Sequence, residues 1–212
     1  MKTLVQCDFD GTITEKDVSF LLLDAFAQGD WRLLLREYKE HTISVGEFNT
    51  RAFAMVKADK ATLLEALKGK VKVRVGFHEL ANYCLTQGFR LVIVSNGLDF
   101  YINAILEDLG LENIEFNAAK TTFYPEGMKV QYIGPDGKRL EDGFKQAYIE
   151  LFLKLGYRVI YAGNGDSDIT PARYAHHVFA TGDLLTYCRA NNLDCKPFEN
   201  FIDVVRYLKQ WS

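Results

Sequence analysis

Short apolar runs rich in β-branched residues alternate along this chain with longer stretches of helical period, which confines the fold to the α/β class on a mainly parallel sheet. Strands are expected at Thr3 to Cys7, Phe89 to Val94, Ile114 to Phe116, Arg158 to Ala162 and Val178 to Ala180. Their nearly continuous apolar character fits strands covered on both faces by helices, a doubly wound, Rossmann-like arrangement. One interval interrupts the pattern. Between the first strand and Phe89 the sequence offers helical periods at Val18 to Phe26, Trp31 to Tyr38 and Ala61 to Leu67, and a helix through Val56 that Ser44 and Glu47 open as a capping box. Residues 17–75 are therefore expected to form a small helical cap inserted into a core of residues 1–16 and 76–212, with Gly76 to Gln87 returning as a core helix. Thr122 to Asp142 carries two turn signals, Tyr124-Pro125-Glu126-Gly127 and Gly134-Pro135-Asp136-Gly137, and reads as a short β-hairpin or flap.

Composition narrows the partners. A net charge of −3, with 25 basic residues scattered among 28 acidic ones, argues against a nucleic-acid footprint and for a small soluble substrate. No apolar run approaches the roughly 20 residues that span a bilayer, so no membrane association is expected. Met1-Lys2 leads straight into a strand without a secretory pattern, and a cytoplasmic protein is expected. Cys7, Cys84, Cys188 and Cys195 are spaced unlike zinc ligands and read as reduced, mostly buried thiols. His176-His177 reads as a helix end. The oligomeric state stays open between monomer and dimer.

In an open α/β sheet, ligands bind beyond the carboxyl ends of the strands. There the chain places Asp8-Phe9-Asp10-Gly11-Thr12, then Ser95-Asn96-Gly97, then Gly163-Asn164-Gly165-Asp166-Ser167-Asp168. Two carboxylates directly after a buried strand are expensive to hold together unless a cation neutralises them, and a hard divalent ion such as Mg²⁺ suits such oxygens. The competing reading of the first cluster alone is a solvated turn with an N-capping aspartate.

Taken together these clusters resemble the haloacid dehalogenase-like phosphatases: Asp8 to Thr12 matches the first motif, Val92 to Gly97 the second, Lys145 the third and Gly163 to Asp168 the fourth. Lys145 is selected because Gly143-Phe144-Lys145 opens the helix leading to a strand and so lies at the carboxyl edge, whereas Lys154 lies at the opposite edge. The resemblance implies that Asp8 attacks phosphorus to give an aspartyl-phosphate and that Asp10 protonates the leaving oxygen, then activates water. Members that cleave carbon–halogen bonds generally lack the second aspartate, so Asp10 points to phosphate. Ser95 would donate to a phosphoryl oxygen and Lys145 would offset charge, while Gly11, Asn96 and Gly97 would accommodate or bind the phosphate. Mg²⁺ would be held by Asp8, the Asp10 carbonyl and the fourth motif. There Asn164 stands where many relatives have aspartate, so either Asn164 ligates with Asp168 holding a metal-bound water, the arrangement favoured here, or Asp168 binds directly. Asp166 either joins this set or caps the next helix.

The resemblance is closest to the phosphoserine phosphatase-like branch. Asp8 to Asp17, reading DFDGTITEKD, looks most like the methionine-salvage phosphatases acting on 2-hydroxy-3-keto-5-methylthiopentenyl 1-phosphate. Asp17, Arg51 and Phe53 are the candidate substrate contacts from the insertion, with packing in the bundle as the competing role for Arg51 and Phe53. Phosphoserine is an alternative substrate. A phosphotransferase would need the same core residues, and a non-catalytic signalling domain that accepts phosphate is the rival from another class.

Overall fold

Leu4, Val5, Gln6 and Cys7 are all fully buried, so the first strand has both faces covered and belongs inside a sheet. The computed structural model describes residues 2–210. Its strands are β1 (Lys2–Cys7), β2 (Arg90–Leu98), β3 (Glu115–Tyr124), β4 (Gly127–Ile133), β5 (Arg139–Leu140), β6 (Tyr157–Gly163), β7 (His177–Ala180) and β8 (Lys196–Pro197). They join in one sheet of order β5-β4-β3-β2-β1-β6-β7-β8. β1 pairs in parallel with β2 on one side and β6 on the other, and only β3-β4 and β4-β5 are antiparallel. The chain leaves β1 toward one edge and later returns to build the other, which puts the switch of winding direction, and the crevice it opens, at the carboxyl end of β1.

The helices are α1 (Val18–Phe26), α2 (Trp31–Lys39), α3 (Val45–Phe53), α4 (Lys60–Leu67), α5 (Phe77–Thr86), α6 (Asp99–Asp108), α7 (Phe144–Lys154), α8 (Ile169–Ala172), α9 (Gly182–Ala190) and α10 (Phe201–Leu208). The first four follow β1 without an intervening strand. Each begins where a short polar side chain takes an otherwise orphaned backbone N–H: Asp17 from Phe20, Asp30 from Arg32, Ser44 from Glu47 and Asp59 from Thr62. A cap of this kind contributes about 1 kcal/mol. At Ser44 the reciprocal half expected of a capping box is replaced, because the Glu47 carboxylate pairs with Arg51 while Ser44 Oγ donates to the Glu141 carbonyl. Phe20, Trp31, Tyr38 and Phe48 interlock above the sheet, with Phe20 and Trp31 ring centres 5.0 Å apart and Tyr38 stacked on Phe48 at 5.8 Å. The segments leaving and re-entering the sheet touch through a bridge between Thr14 and Val73.

Three expectations change. The third strand runs to Tyr124 rather than ending at Phe116, and the expected β-hairpin is present, with β4 and β5 turning back at the two turn signals to continue the sheet in antiparallel fashion. The outer half of β3, Asn117 to Thr122, is mostly small or polar because it lies toward the sheet's antiparallel edge, so apolar patterning does not reveal it. The second strand continues beyond Val94 to Leu98, with a shift of register against β3 in between. His177 opens β7 rather than ending a helix, and His176 Nδ1 accepts the Val159 N–H. Among the described residues no helix is long and apolar enough to cross a membrane.

α10 closes the molecule against α5, with the Phe77 and Phe201 rings 5.4 Å apart and Phe201 fully buried. Replacing Phe201 by Ala is expected to lower unfolding free energy by about 3–5 kcal/mol in a urea titration. Ile202→Ala, at a side chain 42% exposed, is expected to change it by less than about 1 kcal/mol.

Candidate active site

The carboxyl ends of β1, β2 and β6 and the first turn of α7 meet around a cavity of about 400 Å³. Asp8, Asp10, Ser95, Lys145 and Asn164 line its floor. Phe20, Leu35, Tyr38, Val45 and Phe48 from the inserted helices form an apolar wall.

Lys145 organises the floor. Its ammonium, 3% exposed, lies 2.9 Å from Asp8 Oδ1 and 2.6 Å from Asp168 Oδ1 and donates to Ser167 Oγ at 3.0 Å, so all three of its protons have acceptors. Burial pulls its proton affinity down, but the charges of Asp168 and Asp8 outweigh that and hold the group above its usual value. The backbone supports this placement, because Gln6 Nε2 reaches from β1 to donate to the Lys145 carbonyl at 3.1 Å. Lys154, at the far end of the same helix, is exposed.

Asp168 is wholly buried and its carboxylate is fully used. Oδ1 accepts from Lys145 and from the Tyr161 hydroxyl at 2.5 Å, and Oδ2 accepts the backbone N–H groups of Asn164 and Gly165, each at 2.9 Å. These four donors occupy both oxygens of Asp168, which thereby fixes Lys145 and the loop that carries Asn164.

Asn164 turns its side chain to the other carboxylates. The oxygen as placed accepts from Thr12 Oγ1 at 2.8 Å and sits 3.2 Å from Asp8 Oδ2 and 3.0 Å from the Asp10 carbonyl oxygen. Reversing the amide would turn its NH₂ toward the same three oxygens, which satisfies the site when no cation is bound. With the oxygen inward, its separations of 3.2 Å from Asp8 Oδ2 and 3.0 Å from the Asp10 carbonyl each match the edge of an octahedron whose metal–oxygen bonds are about 2.1 Å. The donor set thus fits Mg²⁺. It contains one carboxylate, one amide and one backbone carbonyl, and among the described residues no group of three His, Cys, Asp or Glu forms a metal site. Gly11 makes the approach possible: its φ is +73°, and a Cβ there would run into the Asn164 side chain.

Asp10 presents its other groups differently. Its Oδ1 accepts the Val18 N–H at 2.9 Å and its Oδ2 the Tyr101 hydroxyl at 2.5 Å. Burial, with the Asp17 charge adding to it, raises Asp10 to about 8 against the pull of these hydrogen bonds. Burial likewise raises Asp8 to about 7, Asp168 adding and Lys145 opposing. Asp17 also lines the cavity, and burial raises it to about 6 although it caps α1 through the Phe20 N–H.

The glycine-rich phosphate contacts expected from sequence are turned inward. The Gly11 N–H donates to Thr14 Oγ1 and the Gly97 N–H to Ser95 Oγ, each at 3.1 Å. Ser95 Oγ is thereby fixed as an acceptor, which leaves its own proton for a ligand. Asn96 gives its carbonyl to Asn49 Nδ2 and the Tyr132 hydroxyl, and its Oδ1 is buried without a partner. Arg51 and Phe53 stand away from the cavity. Arg51 pairs with Glu37 and Glu47 at 3.1 Å on the outer surface, and Phe53 is fully buried in the hydrophobic cluster, so neither lines the cavity. Asp166 pairs with Lys39 at 3.0 Å instead of joining the oxygen cluster.

Sequence reasoning missed Tyr101, Tyr161, Asn49 and Arg74. Arg74 grips the carbonyls of Gly11, Thr12 and Glu199 where the insertion returns to the sheet. The one signal available for the two tyrosines is a phenol inside an otherwise apolar run, Phe100-Tyr101-Ile102 and Ile160-Tyr161-Ala162, since a buried hydroxyl implies a polar partner.

A model of the haloacid dehalogenase-like hydrolase family matches residues 5–173. The chain is 30% identical over 209 residues to a 2-hydroxy-3-keto-5-methylthiopentenyl-1-phosphate phosphatase of Geobacillus kaustophilus, covering 96% of this chain and 94% of that one. It is 29% identical over 218 residues to the like-named protein of Exiguobacterium sp. strain AT1b, covering 99% and 98%. A substrate-bound phosphoserine phosphatase superposes with a TM-score of 0.72 at 18% identity over 98% of each chain, a likeness of fold.

The raised carboxyls carry a consequence for stability. Asp8, Asp10 and Asp17 titrate near 3.8 when unfolded but at about 7, 8 and 6 when folded, so through that window the native state holds more protons and loses stability as pH rises. Melting of the metal-free protein should fall between pH 5.5 and 8.5, and Mg²⁺ should restore more at the higher pH. The slope should flatten in a variant carrying Asp8→Asn and Asp10→Asn, and a slope unchanged there would assign the effect to other groups.

Proposed function

The chain belongs to the haloacid dehalogenase-like hydrolases, and we propose that it hydrolyses a small phosphate monoester by passing the phosphoryl group through Asp8. The observation that carries this reading is the Asp8 carboxylate held between the Lys145 ammonium at 2.9 Å and the inward-facing Asn164 side chain at 3.2 Å, with a high-pKa carboxyl at Asp10 beside it.

Asp8 attacks phosphorus as the bond to the leaving oxygen breaks, and Asp10, protonated near neutral pH because burial raises it to about 8, delivers its proton to that oxygen. Asp10, now a carboxylate, takes a proton from water as the water attacks phosphorus of the aspartyl-phosphate, which frees Asp8 and releases phosphate. Ser95 donates its hydroxyl proton to a phosphoryl oxygen, and Lys145 screens the charge that nucleophile and phosphate bring together. Asp8, the Asp10 carbonyl and Asn164 would hold Mg²⁺, which would supply positive charge for the phosphoryl oxygens. The helices of residues 17–75 act as a cap that excludes water and contacts the leaving group.

The substrate reading follows the cavity wall. Phe20, Leu35, Tyr38, Val45 and Phe48 offer an apolar surface. The cations lining the cavity are committed: Lys39 to Asp166 and Asp183, Arg74 to three carbonyls, and Lys145 to the floor. A phosphate ester with an uncharged tail fits such a wall, and 2-hydroxy-3-keto-5-methylthiopentenyl 1-phosphate, named for the two bacterial relatives, is the substrate we assign. Phosphoserine would bring a carboxylate for which no lining cation is uncommitted.

Wild type and Asp8→Asn should be assayed against phosphorylated metabolites with and without Mg²⁺, in the presence and absence of alcohol acceptors. Mg²⁺-dependent phosphate release by wild type is expected, with at least about a 10³-fold loss in Asp8→Asn, by analogy with removal of an activated nucleophile, and an unchanged circular dichroism spectrum. Equal rates in the two proteins would reject Asp8 as nucleophile. Transfer to an acceptor in place of release would make the chain a phosphotransferase, and no turnover with any ester would leave a phosphate-accepting binding domain.

A further inference from the structure

Both oxygens of the Asp10 carboxyl are gripped, and one grip comes from a residue with no other evident reason to be polar. Tyr101, in the first turn of α6, is fully buried, its ring packed near Phe9 and against Phe100 with centroid separations of 6.4 and 5.5 Å. Phenylalanine would fill the same space. A buried hydroxyl is unfavourable unless it is bonded, and this one is bonded on both sides: to Asp10 Oδ2 at 2.5 Å and to Ser19 Oγ at 2.8 Å. A phenol has one proton. With that proton directed to the carboxyl, Ser19 is the donor to the phenol oxygen, so the chain runs Ser19 to Tyr101 to Asp10.

The backbone is shaped around this contact. A Cβ at residue 97 would collide with both Asp10 Oδ2 and the Tyr101 hydroxyl, so glycine is required where β2 passes the pair. The Val18 N–H fixes the second carboxyl oxygen, Oδ1. A carboxyl can rotate about its Cβ–Cγ bond, and two donors from separate elements remove that freedom.

We infer that Tyr101, oriented by Ser19, is a positioning residue that aims the Asp10 carboxyl at the leaving-group oxygen. The inference rests on the role of Asp10 in the proposed phosphatase reaction. It differs from a packing role in what it does to the reaction, because misdirecting a general acid matters most when the leaving oxygen is too basic to depart unprotonated.

The test compares kcat/KM of wild type, Tyr101→Phe, Ser19→Ala and Asp10→Asn for p-nitrophenyl phosphate, phenyl phosphate and an alkyl phosphate that wild type hydrolyses. For Tyr101→Phe a loss on the order of 10- to 100-fold is expected with the alkyl ester and less than about threefold with p-nitrophenyl phosphate, within the range of general acid catalysis. Ser19→Ala should tilt the series the same way by a smaller amount. Adding Tyr101→Phe to Asp10→Asn should cost nothing further, because the carboxyl being aimed is already gone. The ratio across the three esters is taken within one protein preparation, so an unfolded fraction cancels from it. Losses equal across the three esters, or additive with Asp10→Asn, would overturn the inference while leaving the phosphatase reading intact. Absence of wild-type turnover would instead overturn the phosphatase reading, and the inference with it.

Discussion

The ammonium of Lys145, buried between Asp8 and Asp168, is the contact on which the site is built. Ions removed from water are expensive unless every charge is paired and every donor used, and removing one partner leaves the others stranded. Here the pairing is complete. Lys145 spends its three protons on Asp8, Asp168 and Ser167, and Asp168 spends its lone pairs on Lys145, Tyr161 and two backbone amides. These contacts tie α7, β1, β6 and the loop after β6 into one arrangement. Beside that arrangement the Asn164 side chain stands 3.2 Å from Asp8 Oδ2 and 3.0 Å from the Asp10 carbonyl.

The inserted helices are joined to the same floor by polar contacts rather than by apolar packing alone. Asn49 on α3 donates to the Asn96 carbonyl and to Tyr132 on β4, so the insertion, the end of β2 and the antiparallel extension of the sheet meet at one point. On the other side Val18 and Ser19 reach Asp10 directly and through Tyr101. Arg74 holds the Gly11 and Thr12 carbonyls where the chain re-enters the sheet. A movement of the helices would therefore be felt at the carboxyl proposed as the acid as well as at the apolar wall proposed to receive the leaving group.

Sequence disclosed those features that depend on burial and on position along a strand. Continuous apolar runs located the five parallel core strands from β1 to β7, and the rule of carboxyl ends placed Asp8, Ser95 and Asn164 on one edge without any contact being known. Helix direction separated Lys145 from Lys154. What stayed hidden depends on how lone pairs and protons are shared across distant segments. The spacing of Asn164 and Asp168 says nothing about Tyr161 or the amides that occupy Asp168. Helical period put Arg51 and Phe53 on the insertion without saying which face meets the cavity, and the ion pairs of Arg51 with Glu37 and Glu47 arise only once two helices are packed. β3 escaped notice beyond Phe116 because its later residues are small or polar.

The central claim is that Asp8 receives the phosphoryl group beside a cation held by Asp8, the Asp10 carbonyl and Asn164. A crystal structure of the protein with Mg²⁺ and beryllium trifluoride tests it most directly. The account predicts beryllium bonded to an Asp8 carboxylate oxygen and Mg²⁺ about 2.1 Å from the Asn164 side-chain oxygen, with Asp168 still on Lys145. Beryllium on another residue, or Mg²⁺ held by Asp168 with Asn164 turned away, would contradict it.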